Sequence, residues 1–299
     1  MKVLKPTVLT DEMLISSTAT AEAILEWNPA TAYAVDDTCW FGRARYKAAI
    51  ANTNRNPLTD ATFPLAWAET GPTNKWAMFD NVVGTSTVGG ASLAVVMEPG
   101  GVDSLFLGEL VGRTANVAVK DAPTGNIVYD KTIDLDGTII ESFYDWFFAD
   151  FEQMTDVILT DLPGQFTGGE LTVSVTATSG DASVGVCKPG RMIEIGQTQY
   201  GAAVGIIDYS GKNTDAFGRT SVVERSYSKR GSFSMVTEKA RFNKIFRTLA
   251  ALRATPCVYV GTESQGYEPL LIYGYFRDFS IDVAYPNHHL CSLEVEGLV

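Results

Sequence analysis

At 299 residues, with 45% hydrophobic and 19% charged side chains, the chain has the composition of a folded protein and excludes a disordered one. Its formal charge of −12 is concentrated: residues 76–190 hold 16 acids against 4 bases, residues 1–75 hold 8 against 7, and residues 191–299 hold 11 against 12. So acidic a middle argues against nucleic acid as a partner, and the longest apolar run, Ala91–Met97, is strand-sized and too short for membrane insertion.

Charge and turn pattern together divide the chain into an N-terminal arm (1–19), a small aromatic module (20–75), a jelly-roll-like β sandwich (76–190) and a C-terminal antiparallel β domain with one packed helix (191–299). The expected fold class is mainly β. Four cysteines, at 39, 187, 257 and 291, share no short spacing, so reduced thiols and folding in a cytoplasm are expected.

In chain order, Ser16–Leu25 predicts a short helix capped by Ser or Thr. Asn28–Tyr33 and Asn52–Asp60 are turn-forming clusters, and between them Asp37–Gly42 and Arg43–Ile50 read as two strands joined at Gly42. In the middle segment, residues 116–121, 126–135, 155–162 and 170–179 alternate apolar and polar side chains, separated by turn signals such as Ala-Pro-Thr-Gly. Many short alternating runs predict a sandwich. The block Glu141–Phe151, "ESFYDWFFADF", is a dense aromatic insert, either a rim loop or a strand packed on both faces.

The last segment opens with glycine-punctuated strands. A helix is predicted over 238–254, with Phe242, Ile245, Phe246 and Leu249 forming one apolar face and Pro256 just past its end. Strands follow at Cys257–Gly261, Leu270–Tyr285 and Cys291–Leu298.

Chemistry-bearing motifs are sparse. There is no His-Glu-x-x-His and no Gly-x-Ser-x-Gly, so no catalytic residue is assigned and an enzyme is not expected. His288 and His289, with Cys291 nearby, form a poor chelate, because neighbours on a strand point to opposite faces. Asp145, Asp150, Glu152 and Asp156 are plentiful carboxylates without the fixed separation a glycosidase needs. They suit at most a structural Ca²⁺, and no EF-hand spacing is present; no cofactor or metal is otherwise expected. The nine Lys and Arg between Arg219 and Arg253 read as the polar face of a helix plus a charged loop, or as a match for an acidic surface such as another copy's middle segment.

Two resemblances add to this. Trp27, Tyr33, the Asp36-Asp37 turn, Trp40, Tyr46, Pro57 and Trp67 together resemble the small chitin- and cellulose-binding modules of bacterial polysaccharide-degrading enzymes. Asp36 stands where that family usually has glycine. The resemblance implies rings stacked on a pyranose, with Trp27, Tyr46 and Trp67 partly buried and Tyr33 and Trp40 making the contact. Further on, "GPTNKWAMFD" and the order of the C-terminal stretches look like tailed-bacteriophage tail-tip or baseplate proteins, and the strand–helix–strand layout is similar to tail-tube-like domains. That resemblance implies a virion protein made in a host cytoplasm, with other tail proteins as partners, a homo-oligomer or ring, and host glycan contact. The alternative reading is a carbohydrate-binding accessory protein of a polysaccharide-degrading system.

Overall fold

The fold is that of a computed structural model, which describes residues 1–138, 140–149, 152–214, 217–263 and 267–298. It is mainly β, built of antiparallel sheets with one helix packed on them. The N-terminal residues form β1 (Lys2–Pro6) and β2 (Leu14–Ser17). Residues 16–25 are not helical. Thr18 and Thr20 donate their backbone N–H groups to Ala94 and Val88, so the start of the segment runs extended along its neighbours and those donors are not free for a helix.

The module that follows has β3 (Ala32–Tyr33), β4 (Thr38–Phe41), β5 (Ala44–Ala48), β6 (Asn52–Thr53) and β7 (Trp67–Pro72). β4 and β5 join through Gly42 at φ +62°, and β5 pairs onward with β7. Asp36 sits at φ +72°, the left-handed turn that glycine usually fills, and its carboxylate pairs with Lys47 at 2.8 Å. A core of its own holds the unit: Tyr33, Cys39, Tyr46, Ala66 and Trp67.

Residues 87–194 supply β8 (Thr87–Val88), β9 (Ser92–Met97), β10 (Ser104–Val111), β11 (Thr114–Lys120), β12 (Ile127–Asp134), the short helix α1 (Phe143–Phe148), β13 (Val157–Leu159), β14 (Leu171–Thr176) and β15 (Ser183–Glu194). One sheet has the order β12-β11-β14-β9-β2. Its alternation is strict: Val117, Val173 and Val95 face one another across three strands, all buried, while Asn116 and Ser174 point outward. Opposite it lie Leu105, Leu107, Val157, Leu159 and Val184 from β10, β13 and β15, closing a sandwich core. Of the connections from β9 to β15, only β11–β12 stays within a sheet.

The C-terminal strands are β16 (Gln197–Thr198), β17 (Ala203–Asp208), β18 (Gly211–Thr214), β19 (Thr220–Val223), β20 (Tyr227–Glu238), β21 (Cys257–Val260), β22 (Leu271–Asp282) and β23 (His288–Gly297). Between β20 and β21 lies α2 (Phe242–Ala251), entered by a 3₁₀ turn over Lys239–Arg241. The helix is thus shorter than 238–254, since Glu238 still belongs to β20. Its buried face is also rotated from the expected one: Ile245, Leu249 and Leu252 pack on Phe233, Tyr259 and Leu293, while Phe246 remains 51% exposed at the rim.

No sheet boundary lies at residue 190. β15 runs through it, pairing its first half with β10 and its second half with β1, which in turn pairs with β21. One eleven-stranded sheet therefore serves both halves. Nor are residues 1–19 a separate arm. β1 is the seam strand of that sheet, with Val3 in the core beneath α2 and Leu4 in a second core with Phe106, Val186 and Val258. A strand covered on both faces carries consecutive apolar residues, as Val3-Leu4 does.

Candidate functional site

The aromatic module divides its rings between core and surface. Tyr33, only 8% exposed, meets Trp67 edge-on at 4.9 Å, and its hydroxyl accepts the Asn28 N–H at 2.8 Å. Trp67 donates its indole N–H to the Arg55 carbonyl, and Tyr46 is buried beside them. A ring enclosed in this way has no face to offer a sugar, so Tyr33 belongs with the structural residues and not with the contact residues. Trp27 is half-buried, edge-on to Phe41 at 5.3 Å. Trp40, half-buried, alternates outward from buried Cys39, and its backbone is fixed by bonds to Leu25 and Trp27. Opposite it in the strand pair stands Arg45, which the Glu22 carboxylate grips with two bonds while also accepting the Asn74 N–H. Trp40 is what remains of the expected contact pair, since Trp27 and Phe41 pack against the core of the module.

Stability separates these roles. Tyr33→Ala is expected to cost about 3–5 kcal/mol, as buried aromatic truncations do, and Tyr33→Phe about 1 kcal/mol for the lost acceptor. Trp40→Ala should cost well under half the Tyr33→Ala value. Chemical denaturation of the whole chain measures all three, and an equal loss at Trp40 would make it a core residue.

Elsewhere the expected groups disperse. Asp145 lies in the first turn of α1, which Ser142 caps: Ser142 Oγ accepts the Asp145 N–H and donates to its carboxylate. Asp156 pairs with Lys229 at 2.6 Å, Glu152 is exposed, and Asp150 lies outside the described residues. His288 is exposed and stacks on Tyr285, whereas His289 is buried edge-on to Phe242, so the two rings do diverge. Among the described residues no three His, Cys, Asp or Glu side chains converge as metal ligands. All four cysteines are free and buried, and burial pushes the thiols of Cys187 and Cys257 up to about 12 and those of Cys39 and Cys291 to about 11. Thiols held so firmly protonated are poor nucleophiles.

A cleft of about 750 Å³ opens where β10 of the sandwich meets β20 and β22 of the C-terminal half. Phe106, Leu110, Tyr227 and Tyr273 give it an apolar wall, and the Lys229–Asp156 pair lies at its edge. Beside it Lys188 is buried, donating to the carbonyls of Phe79 and Asp80 and to Asn81 Oδ1. Its burial outweighs the nearby Asp80 charge and lowers the amine to about 8. No local motif marks this lysine, because its partners lie more than 100 residues away in the sequence. The cleft offers binding contacts: an apolar wall, two phenols and one ion pair.

A cluster of exposed apolar side chains lies elsewhere. Phe143, Tyr144, Trp146, Phe147 and Phe148 of α1 are each 68–89% exposed, and their ring contacts are with one another, Tyr144–Phe148 at 4.8 Å and Phe147–Phe148 at 6.4 Å. The insert is neither a packed strand nor a plain loop. The Ser142-x-x-Asp145 cap is the local signal for a helix start that could have found it. Among the described residues, no helix is long and apolar enough to cross a membrane. No protein-family model matches the chain, and no curated protein does.

Proposed function

We propose that the chain is a structural subunit of a tailed-bacteriophage virion, at the tail tip, baseplate or fibre attachment, with its N-terminal module turned towards host surface glycans. The observation that carries the assembly half of this reading is α1. Five exposed rings in six residues are far more apolar surface than a solitary chain gains from displaying, and such patches mark sites where another surface belongs. A sheet backed by one helix, the resemblance to tail-tip proteins, and thiols kept reduced in the interior all accord with it.

Antibody raised against the chain should label purified particles at one end of the tail in negative stain. Particles that contain the chain nowhere would overturn the proposal.

The glycan half rests on Trp40. On an array of chitin- and cellulose-type oligosaccharides, the whole chain should bind, and Trp40→Ala should weaken binding by about 1–3 kcal/mol, the worth of one stacked ring. Unchanged binding in that variant would remove the assignment. A carbohydrate-binding accessory protein of a polysaccharide-degrading system is the second reading, favoured by the same half-exposed Trp40. It predicts sugar binding with no particle labelling.

A further inference from the structure

We infer that the aromatic helix α1 of one chain docks on the exposed face of α2 in a second copy, joining subunits head to tail. The inference rests on reading the chain as an assembly subunit, but not on which particle it builds.

The two surfaces match in both apolarity and charge. The rings of α1 belong to a segment that carries 16 of the chain's 35 acids, and on either side of them in the sequence are Glu141 and Glu152, both exposed and outside any ion pair among the described residues. On α2, Phe246 is 51% exposed and edge-on to half-buried Phe279 at 5.8 Å. Exposed Lys244 and Arg247 lie on the solvent side of the same helix, with Lys239 and Arg253 at its two ends, and among the described residues none of them has an ion-pair partner; Arg241 alone of the group is engaged, by Glu194 at 2.7 Å. A ring cluster on an acidic segment thus meets a helix face of ammonium and guanidinium groups with a ring at its rim, which adds cation–π contact to ion pairing. The carboxylates also count against an anionic lipid surface as the occupant, because they would face like charge.

The acidic tip and the basic helix are different patches, so the contact is heterologous. Repetition of such a contact closes a ring when the rotation permits and otherwise extends a filament.

Sedimentation velocity of the full chain over about 5–200 µM should show mass rising with concentration at about 50 mM salt and falling at about 500 mM. The exposed substitutions Trp146→Ser with Phe147→Ser should weaken association at least about tenfold without lowering thermal stability. Lys244→Glu with Arg247→Glu should weaken it similarly, and adding Glu141→Lys with Glu152→Lys should restore it, as compensating charges do in a double-mutant cycle. Failure of the second reversal to restore association overturns the pairing. So does a monomer at every concentration, or flotation of the wild type with zwitterionic phosphatidylcholine vesicles that Trp146→Ser abolishes while self-association is untouched. Self-association that follows this pattern in a chain absent from virions would retain the contact and reject only the particle assignment.

Discussion

Replacing Leu4 by Asp is expected to unfold the sandwich and the C-terminal half together, at a cost of about 3–5 kcal/mol, because an unpaired carboxylate would be buried in an apolar cluster. Leu4 is fully buried among Phe106, Val186, Val258, Val260 and Leu271, residues drawn from both halves. Its strand pairs with Met192 on one side and with Val258 on the other, so among the described residues β1 bridges β15 and β21 in the sheet order. Val3→Asp should cost a similar amount from the opposite face, where Val3 packs beneath α2. In calorimetry the two halves of the wild type should melt in one transition, and both variants should lower it as one. Two separated transitions, with only one shifted by Leu4→Asp, would show that the shared sheet does not couple the halves.

The second large effect is alkaline. Four buried thiols ionise near 9.0 when the chain unfolds, but are held at about 11 or about 12 in the fold by desolvation. The folded state therefore binds more protons than the unfolded state above pH 9. The stability linked to the thiols is whole below that pH and is lost as pH rises from 9 towards the folded values, at about 1.4 kcal/mol per thiol per pH unit. Lys188 has the opposite sign. Its folded value is lowered from 10.5 to about 8, so between those values the unfolded state holds the extra proton and stability rises with pH.

At pH 10 the thiols remove about 5 kcal/mol and Lys188 returns about half as much, a net loss that deepens above pH 10 once the lysine contribution levels off. Tyr259 and Tyr273, which burial also holds protonated, add to the loss there. Urea titrations from pH 8 to 11 should thus show stability falling steeply beyond pH 9, and Cys187→Ala should flatten the slope by about one thiol's share. A thiol reagent should find no reactive cysteine in the native chain below pH 9 and all four in denaturant. Stability constant to pH 10, or rapid native labelling, would contradict the burial of these groups.

Much of the fold is written locally. β11, β14 and β23 announce themselves by alternation, because each buries a single face, and the pattern of period two records which one, whereas β20 runs through the stretch whose charges read as a loop. The strand pair around Gly42 and the left-handed turn at Asp36 are equally local. β1 is not. Its two apolar residues look like the start of any segment, and its partners lie near residues 192 and 258, a pairing on which the local pattern carries no information. The face of α2 was misread by one residue type: Phe246 has the spacing of a core position, yet Leu252, beyond the regular helix, takes the buried place.

The site was legible in part for the same reason. Rings in a small module cannot all face outward, since a unit of this size has little else to bury. Trp67 and Tyr46 follow the expected division, but Tyr33 is turned inward by the Asn28 bond and the Trp67 edge contact. In α1 the reverse holds. Five rings in six residues read as a rim loop or a strand packed on both faces, and nothing in the spacing tells that they form a helix in the connection between β12 and β13 with every ring exposed.

The reading of the chain as an assembly subunit is tested most directly by a density map of the purified particle's tail. The account predicts density for the eleven-stranded sheet at the distal end, repeated around the tail axis, with the α1 rings covered by a neighbour and the Trp40 face of the module open to solvent. A map accounting for every distal density without this fold, or holding it with α1 bare and no neighbour in reach, would contradict the account.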